Sequence, residues 1–220
     1  MKRSLLITLM VFVAAVTVYK WLYPTYSYRY RLTIDIETDG ELHSGSSVIE
    51  VIWYAHFLPE LVSFSPELRG QAALVDLGSR GVVVATLVAK DWGWHNTNAG
   101  WGTLWLVPRA FGVDDTIDGL PAVAHLRGKR ELDLNTLPRL LWFSNPQDPH
   151  TAKTILVDDI ASVLGPSVRF AGASIEMTSD PLVIDIRQKL PWIDLYSGTN
   201  RLYLPDGLDI GRYMFLGDAT

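Results

Sequence analysis

Two different rhythms of apolar residues divide the chain. From Leu5 to Tyr19 the run is continuous, broken only by Thr8 and Thr17. From Tyr28 to Glu37 it alternates: Tyr28, Tyr30, Leu32, Ile34 and Ile36 take one side, and Arg29, Arg31, Thr33, Asp35 and Glu37 take the other. A helix rises about 1.5 Å per residue, so a hydrocarbon slab of about 30 Å takes roughly 20 residues. The first run reaches that length if Lys20 snorkels outward and Trp21, Leu22 and Tyr23 sit at the interface, before Pro24 stops the helix. Residues 1–24 are therefore expected to be a signal anchor, a single transmembrane helix. Lys2 and Arg3 ahead of it give the layout of an export signal, which places the bulk of the chain beyond the membrane; Lys20, Arg29 and Arg31 on the other flank argue weakly the other way. Ala14 and Ala15 leave a second possibility, cleavage near Ala15 and secretion. The apolar and aromatic residues that continue to Tyr23 favour a retained anchor.

Residues 25–220 are expected to form one β-rich domain. The alternation over residues 26–38 is that of a half-buried strand. Asp39-Gly40 then accepts the positive φ of a hairpin turn. A second strand is expected from about Ser46 to His56, with Ile49, Val51 and Trp53 inward and Glu50 outward, in reach of Arg29 or Arg31. Further strands are expected at Gln71–Leu77, Val82–Ala89, Thr103–Val107, Ala122–Leu126, Leu140–Phe143, Ile155–Val157, Val168–Met177, Leu182–Arg187 and Leu202–Leu204. Val82–Ala89 has almost no polar side chain, so both its faces should be covered. Asp158 is placed to cap a short helix through Leu164, which Gly165-Pro166 stops. Many short strands, turn residues between them and no long amphipathic helices predict a mainly β fold: an antiparallel β-sandwich or open barrel with one or two short helices.

Composition narrows the chemistry. The chain is 48% hydrophobic and 20% charged, enough apolar residues for a core and too few charges for disorder. Net charge is −5 without a long basic run, which argues against a nucleic-acid partner. Cysteine is absent, so thiol nucleophiles, disulfides and Cys-based zinc sites are excluded.

Several short motifs occur in order along the exported part: Tyr30-Arg31-Leu32-Thr33-Ile34, Ser44-Gly45-Ser46-Ser47-Val48-Ile49-Glu50-Val51, Gly70-Gln71-Ala72-Ala73-Leu74-Val75-Asp76-Leu77, Asp148-Pro149-His150-Thr151 and Leu190-Pro191-Trp192. Together they resemble a family of uncharacterised, membrane-anchored bacterial proteins. The resemblance implies a bacterial origin and a shared fold, hence an inner-membrane, single-pass protein with its body in the periplasm. It implies no activity and carries over no catalytic residue.

Four of the eight Trp lie close together: Trp92, Trp94, Trp101 and Trp105. Indole faces stack on sugar rings, and His95, Asn96 and Asn98 beside them could bond hydroxyls. Trp92, Trp94, His95, Asn96, Trp101 and Trp105 are thus the candidate ligand-binding residues. Core packing beneath a Gly-rich loop and contact with lipid headgroups are the competing explanations. Asp114-Asp115-Thr116-Ile117-Asp118-Gly119 echoes half of a calcium loop, but its twelfth position is His125 where a bidentate Glu is needed, so a solvated acidic turn is expected. The five His show no helical zinc spacing; His150 with Asp148, Asp158 and Asp159 is at most a polar cluster. Gly45-Ser46-Ser47 lacks the closing Gly of a nucleophile elbow and leads into a strand. No metal, no cofactor and no catalytic residue is expected. The reading that follows is a non-catalytic, envelope-tethered β-rich module that binds an envelope protein or glycan. Two alternatives stand beside it: an enzyme acting on glycans or wall polymers near Trp94, His95 and Trp101, and an accessory subunit of a membrane complex docked by the tyrosine face of the first strand.

Overall fold

The structure is a computed structural model that describes residues 2–55, 64–89 and 103–217. Helix α1 (Lys2–Leu22) passes through Pro24 into β1 (Thr25–Thr38), the centre of the larger sheet. Every described side chain of α1 is exposed. Among the described residues no helix is long and apolar enough to cross a membrane. The span expected over residues 1–24 is therefore not met by the described side chains alone, and those of residues 2–4, 6, 21 and 22 lie outside the description.

The hairpin forms where the sequence pattern puts it. Asp39 (φ 54°) and Gly40 (φ 83°) make the turn, and Thr38 pairs with Glu41 across it. β2 runs Glu41–Ala55, five residues earlier than the apolar pattern alone indicates, because pairing with β1 continues down to the turn. β3 (Phe64–Gly70) adds to β2. β4 (Ala73–Asp76) and β5 (Val82–Ala89) begin a second sheet.

Four stretches depart from the expected strands: Ile155–Val157 shares only Ile155 with the strand Ala152–Ile155 and enters a 3-10 turn at Val157, and three others differ more. Thr103–Val107 is a 3-10 turn running into α2 (Leu106–Phe111). Leu106/Ala110 and Val107/Phe111 are i, i+4 pairs, and Gly112 at φ 67° caps the last turn. Ala122–Leu126 overlaps α3 (Leu120–Val123), which Pro121 starts. A short apolar run does not by itself separate helix from strand. Leu182–Arg187 pairs with no strand and ends in a 3-10 turn over Ile186–Gln188. The side-chain oxygen of Gln71 accepts from the N–H groups of both Asp185 (2.8 Å) and Ile186 (2.9 Å), which removes the need for a partner strand.

β6 (Lys129–Glu131), β7 (Pro138–Phe143), β8 (Ala152–Ile155), α4 (Ile160–Leu164), β9 (Val168–Met177) and the hairpin of β10 (Leu202–Tyr203) and β11 (Asp209–Ile210) complete the chain. Asp158 does not cap α4; it lies in the 3-10 turn before it, and no side chain bonds the helix start. The body is mainly β, and every strand pair described is antiparallel. The larger sheet has the order β3-β2-β1-β9-β6 and the smaller one β4-β5-β7-β8. β4 touches both β1 and β2, so the two sheets face each other around one core.

All of β5 is buried except Ala89 at its end. The C-terminal segment packs on the smaller sheet, touching β5 through the turn Arg212–Met214. There Phe215 and Trp192 close on Phe143, with ring centroids 5.4–6.1 Å apart. The sheets approach closely at Gly45: a Cβ on that residue would sit 2.0 Å from the carbonyl oxygen of Leu74. Ser44-Gly45-Ser46 is therefore a packing motif, where only a bare backbone fits. Gly45→Val is predicted to destabilise the full chain by about 3 kcal/mol, the usual scale of overpacking, read as a lower denaturant midpoint, while Gly40→Asn at the open turn costs far less.

Candidate functional site

The first residues of β1 build two different surfaces at the end of the sandwich where α1 joins it. Period two sends Tyr26, Tyr28 and Tyr30 inward and Ser27, Arg29 and Arg31 outward. The inward face is closed. Tyr28 and Tyr30 are buried in the core, so the tyrosine face of the first strand is not the free docking surface that one reading required. The Tyr28 hydroxyl donates to the carbonyl of Leu104 at 2.8 Å. Burial pushes the Tyr28 phenol well above its ordinary pKa, and the Trp53 indole beside it offsets part of the rise. Burial likewise raises Tyr30, whose hydroxyl has no hydrogen-bond partner among the described residues.

Of the Trp-rich candidates, Trp92, Trp94, His95, Asn96 and Trp101 lie outside the described residues, as does Asn98. Trp105 is described, and it packs on Trp53 with centroids 4.6 Å apart. It belongs to the aromatic lining of the core at this end, beside Tyr28 and Leu104.

The outward face is a cross-strand charge row. Register sets Arg29 opposite Glu50 on β2, and Glu50 opposite Arg69 on β3. Arg29 Nε donates to Glu50 Oε1 at 2.9 Å, the pairing the sequence anticipated, and Arg69 Nη1 lies 3.8 Å from Glu50 Oε2. Arg69 Nε also donates to Glu67 (2.6 Å), to which the Tyr54 hydroxyl donates at 2.9 Å. Arg69 first, and Tyr54 after it, hold the Glu67 carboxyl below the usual range. Arg31 pairs with Asp180 in the turn after β9. A cleft of about 590 Å³ opens beside this row, lined by Ser27, Arg29, Glu50, Arg127, Thr178 and Ser179. It joins residues about 150 positions apart (from Ser27 to Thr178), which no local pattern connects.

Two other clefts are committed to structure or lack converging groups. One of about 490 Å³ holds His43, Ser46, Gln71, Asp76, Asp185 and Lys189. There Gln71 ties down residues 185–186, and Lys189 donates to Asp76 at 2.6 Å. Lys189, and then the Gly78 N–H, hold Asp76 below its ordinary pKa. One of about 270 Å³ is lined chiefly by Leu134, Leu137, Leu156 and Leu208 with Arg139 and Asp206.

The remaining expectations resolve plainly. In the acidic turn, Asp115 accepts from Arg109 Nε at 2.8 Å. His150 Nδ1 sits 2.9 Å from Asp148 Oδ1, both exposed, without Asp158 or Asp159 as a partner. Among the described residues no three His, Asp or Glu stand close enough to hold a metal ion. Compared with family models, curated proteins and solved structures, the chain matches none.

Two outcomes are expected from these contacts. Tyr28→Phe strands the buried Leu104 carbonyl and should cost about 1–2 kcal/mol, whereas Tyr30→Phe removes an unpaired buried hydroxyl and should leave the melting temperature unchanged or higher. The lowered carboxyls of Glu67, Asp76 and Asp180 make stability fall with acid. Their contribution is complete above the unfolded carboxylate range, about pH 4, and is lost as pH drops through their lower folded values. Denaturant midpoints at pH 6 and pH 3 check this, and a flat profile would contradict it.

Proposed function

We propose that the protein is a non-catalytic β-rich module tethered to the inner membrane of a bacterium by α1, with its body in the periplasm, where it binds another envelope component, protein or glycan. The observation that carries the proposal is the surface of α1. Leu9, Met10, Val11, Phe12 and Val13 are consecutive and all exposed, so apolar side chains point in every direction around the helix. A helix with one apolar stripe docks in a groove; a helix apolar all round needs an apolar solvent. Its 21 residues extend about 31 Å, the thickness of a hydrocarbon core. Trp21, Leu22 and Tyr23 then provide interfacial residues beside Pro24. The β core closes without α1, which is what a tether requires. The bacterial envelope setting agrees with the membrane-anchored proteins that the sequence motifs resemble.

Binding is favoured over glycan hydrolysis by the carboxylates. Among the described residues, every displaced carboxyl is displaced downward: Asp39, Glu67, Asp76, Asp148, Asp180 and Asp194. A glycosidase needs one carboxyl held protonated, with its pKa raised.

The test is extraction and topology. The full chain should stay in the membrane pellet through alkaline carbonate, and deletion of residues 1–23 should release it. Protease added to intact spheroplasts should digest the body. Recovery of the full chain in the carbonate wash, or a body protected until lysis, would overturn the proposal.

A further inference from the structure

We propose that the cleft between Arg29 and Arg127 receives the phosphate of an anionic phospholipid headgroup; this rests on α1 lying in the bilayer. Position is the first argument. Ser27, on the cleft wall, is three residues beyond Pro24 in an extended strand, a reach of about 10 Å. The polar layer of one leaflet is about 5–8 Å thick. With α1 spanning the hydrocarbon, a strand leaving at about 45° or more from the membrane normal sets Ser27 about 7 Å or less from the hydrocarbon edge, at headgroup level.

Charge is the second argument. Glu50 does not offer the cleft a free anion, since its two oxygens face Arg29 and Arg69. Arg69 is further paired with Glu67, and Arg31 with Asp180. Three arginines (Arg29, Arg69, Arg127) thus stand against two carboxylates (Glu50, Glu67), which leaves one positive charge. Arg127 carries it. Its Nη1 donates to the carbonyls of Ala124 (3.1 Å) and Leu126 (2.6 Å), and no described carboxylate lies within ion-pair distance of it.

Donor chemistry is the third argument. Guanidinium groups present planar N–H donors suited to phosphate oxygens. The hydroxyls of Ser27, Thr178 and Ser179 stand on the same wall. Thr178 Oγ1 accepts the Asp180 N–H at 3.1 Å and keeps its own hydrogen to donate. Met177 and Ala124 supply an apolar margin for the glycerol and upper acyl carbons. One net positive charge matches a phosphodiester with an uncharged alcohol, such as phosphatidylglycerol. A choline headgroup would bring a second cation against Arg127.

The experiment uses the full chain in neutral detergent micelles, titrated calorimetrically with dihexanoyl phosphatidylglycerol, dihexanoyl phosphatidylcholine and glycerol phosphate. Phosphatidylglycerol should bind saturably and at least tenfold more tightly than either of the others. Arg127→Glu should weaken it at least tenfold, and Arg127→Gln by less, with unchanged melting curves. Lys153→Glu, on the other sheet, should have no effect. Equal binding of glycerol phosphate would make the ligand a soluble phosphate ester and overturn the lipid assignment. Indifference to Arg127→Glu, or no binding, would overturn the site. Carbonate extraction separates this from the anchor: a chain that resists extraction yet ignores headgroup charge fails only here, whereas one that washes out fails the tether.

Discussion

Strand β1 imposes the constraint that organises the molecule. Its five inward apolar side chains, from Tyr28 to Ile36, are buried only if a second sheet lies across them, about 10 Å away. β4 and β5 supply that sheet, and Gly45 permits the approach because its missing Cβ makes room for the backbone of Leu74. β5 is apolar on both faces, so each of them must be hidden. That requirement draws the C-terminal segment over the smaller sheet, where Trp192 and Phe215 meet Phe143. The irregular segment after β9 is thus held by Gln71, by the aromatic contacts and by the backbone bonds that join Phe215 to Ala72 and Gly217 to Gly70.

The same period of two that builds the core also builds the charged face. Tyr28 and Tyr30 on β1 are each followed by an outward Arg, and the register with β2 and β3 sets Arg29, Glu50 and Arg69 in a row of alternating charge. Such pairs on an open surface add little stability singly. Their larger consequence is local neutrality: Glu50 is consumed between two guanidinium groups, and Arg127, arriving from a distant loop, is left in excess. An apolar, all-round-exposed helix and a cleft with one surplus cation lie at the same end of the molecule because β1 follows directly from α1.

Much of this was legible in the chain. Alternation read the inward and outward faces of β1 correctly, Asp39-Gly40 marked the hairpin, and the run Val82–Ala89, with Thr86 its one polar side chain, declared a strand covered on both sides. Counting faces put Glu50 within reach of Arg29 or Arg31, and the register chose Arg29. Short apolar runs were not legible, since four or five such residues suit a helical turn as well as a strand. α2 and α3 were settled by Gly112, Pro121 and the core they pack against. Gln71 is the sharpest case: an ordinary polar residue by sequence, it replaces a whole strand partner for residues 185–186.

What the sequence determined by itself are the local matters: where apolar side chains recur, which residues turn the chain, and which chemistries lack their atoms, as thiol chemistry does without cysteine. Each depends on neighbours within a few residues, where geometry is nearly invariant. Only tertiary structure decided that Arg127 comes to lie beside Ser27 and Thr178, and that Gly45 faces Leu74. Those facts depend on how two sheets stack, and stacking is a compromise among all the buried faces at once.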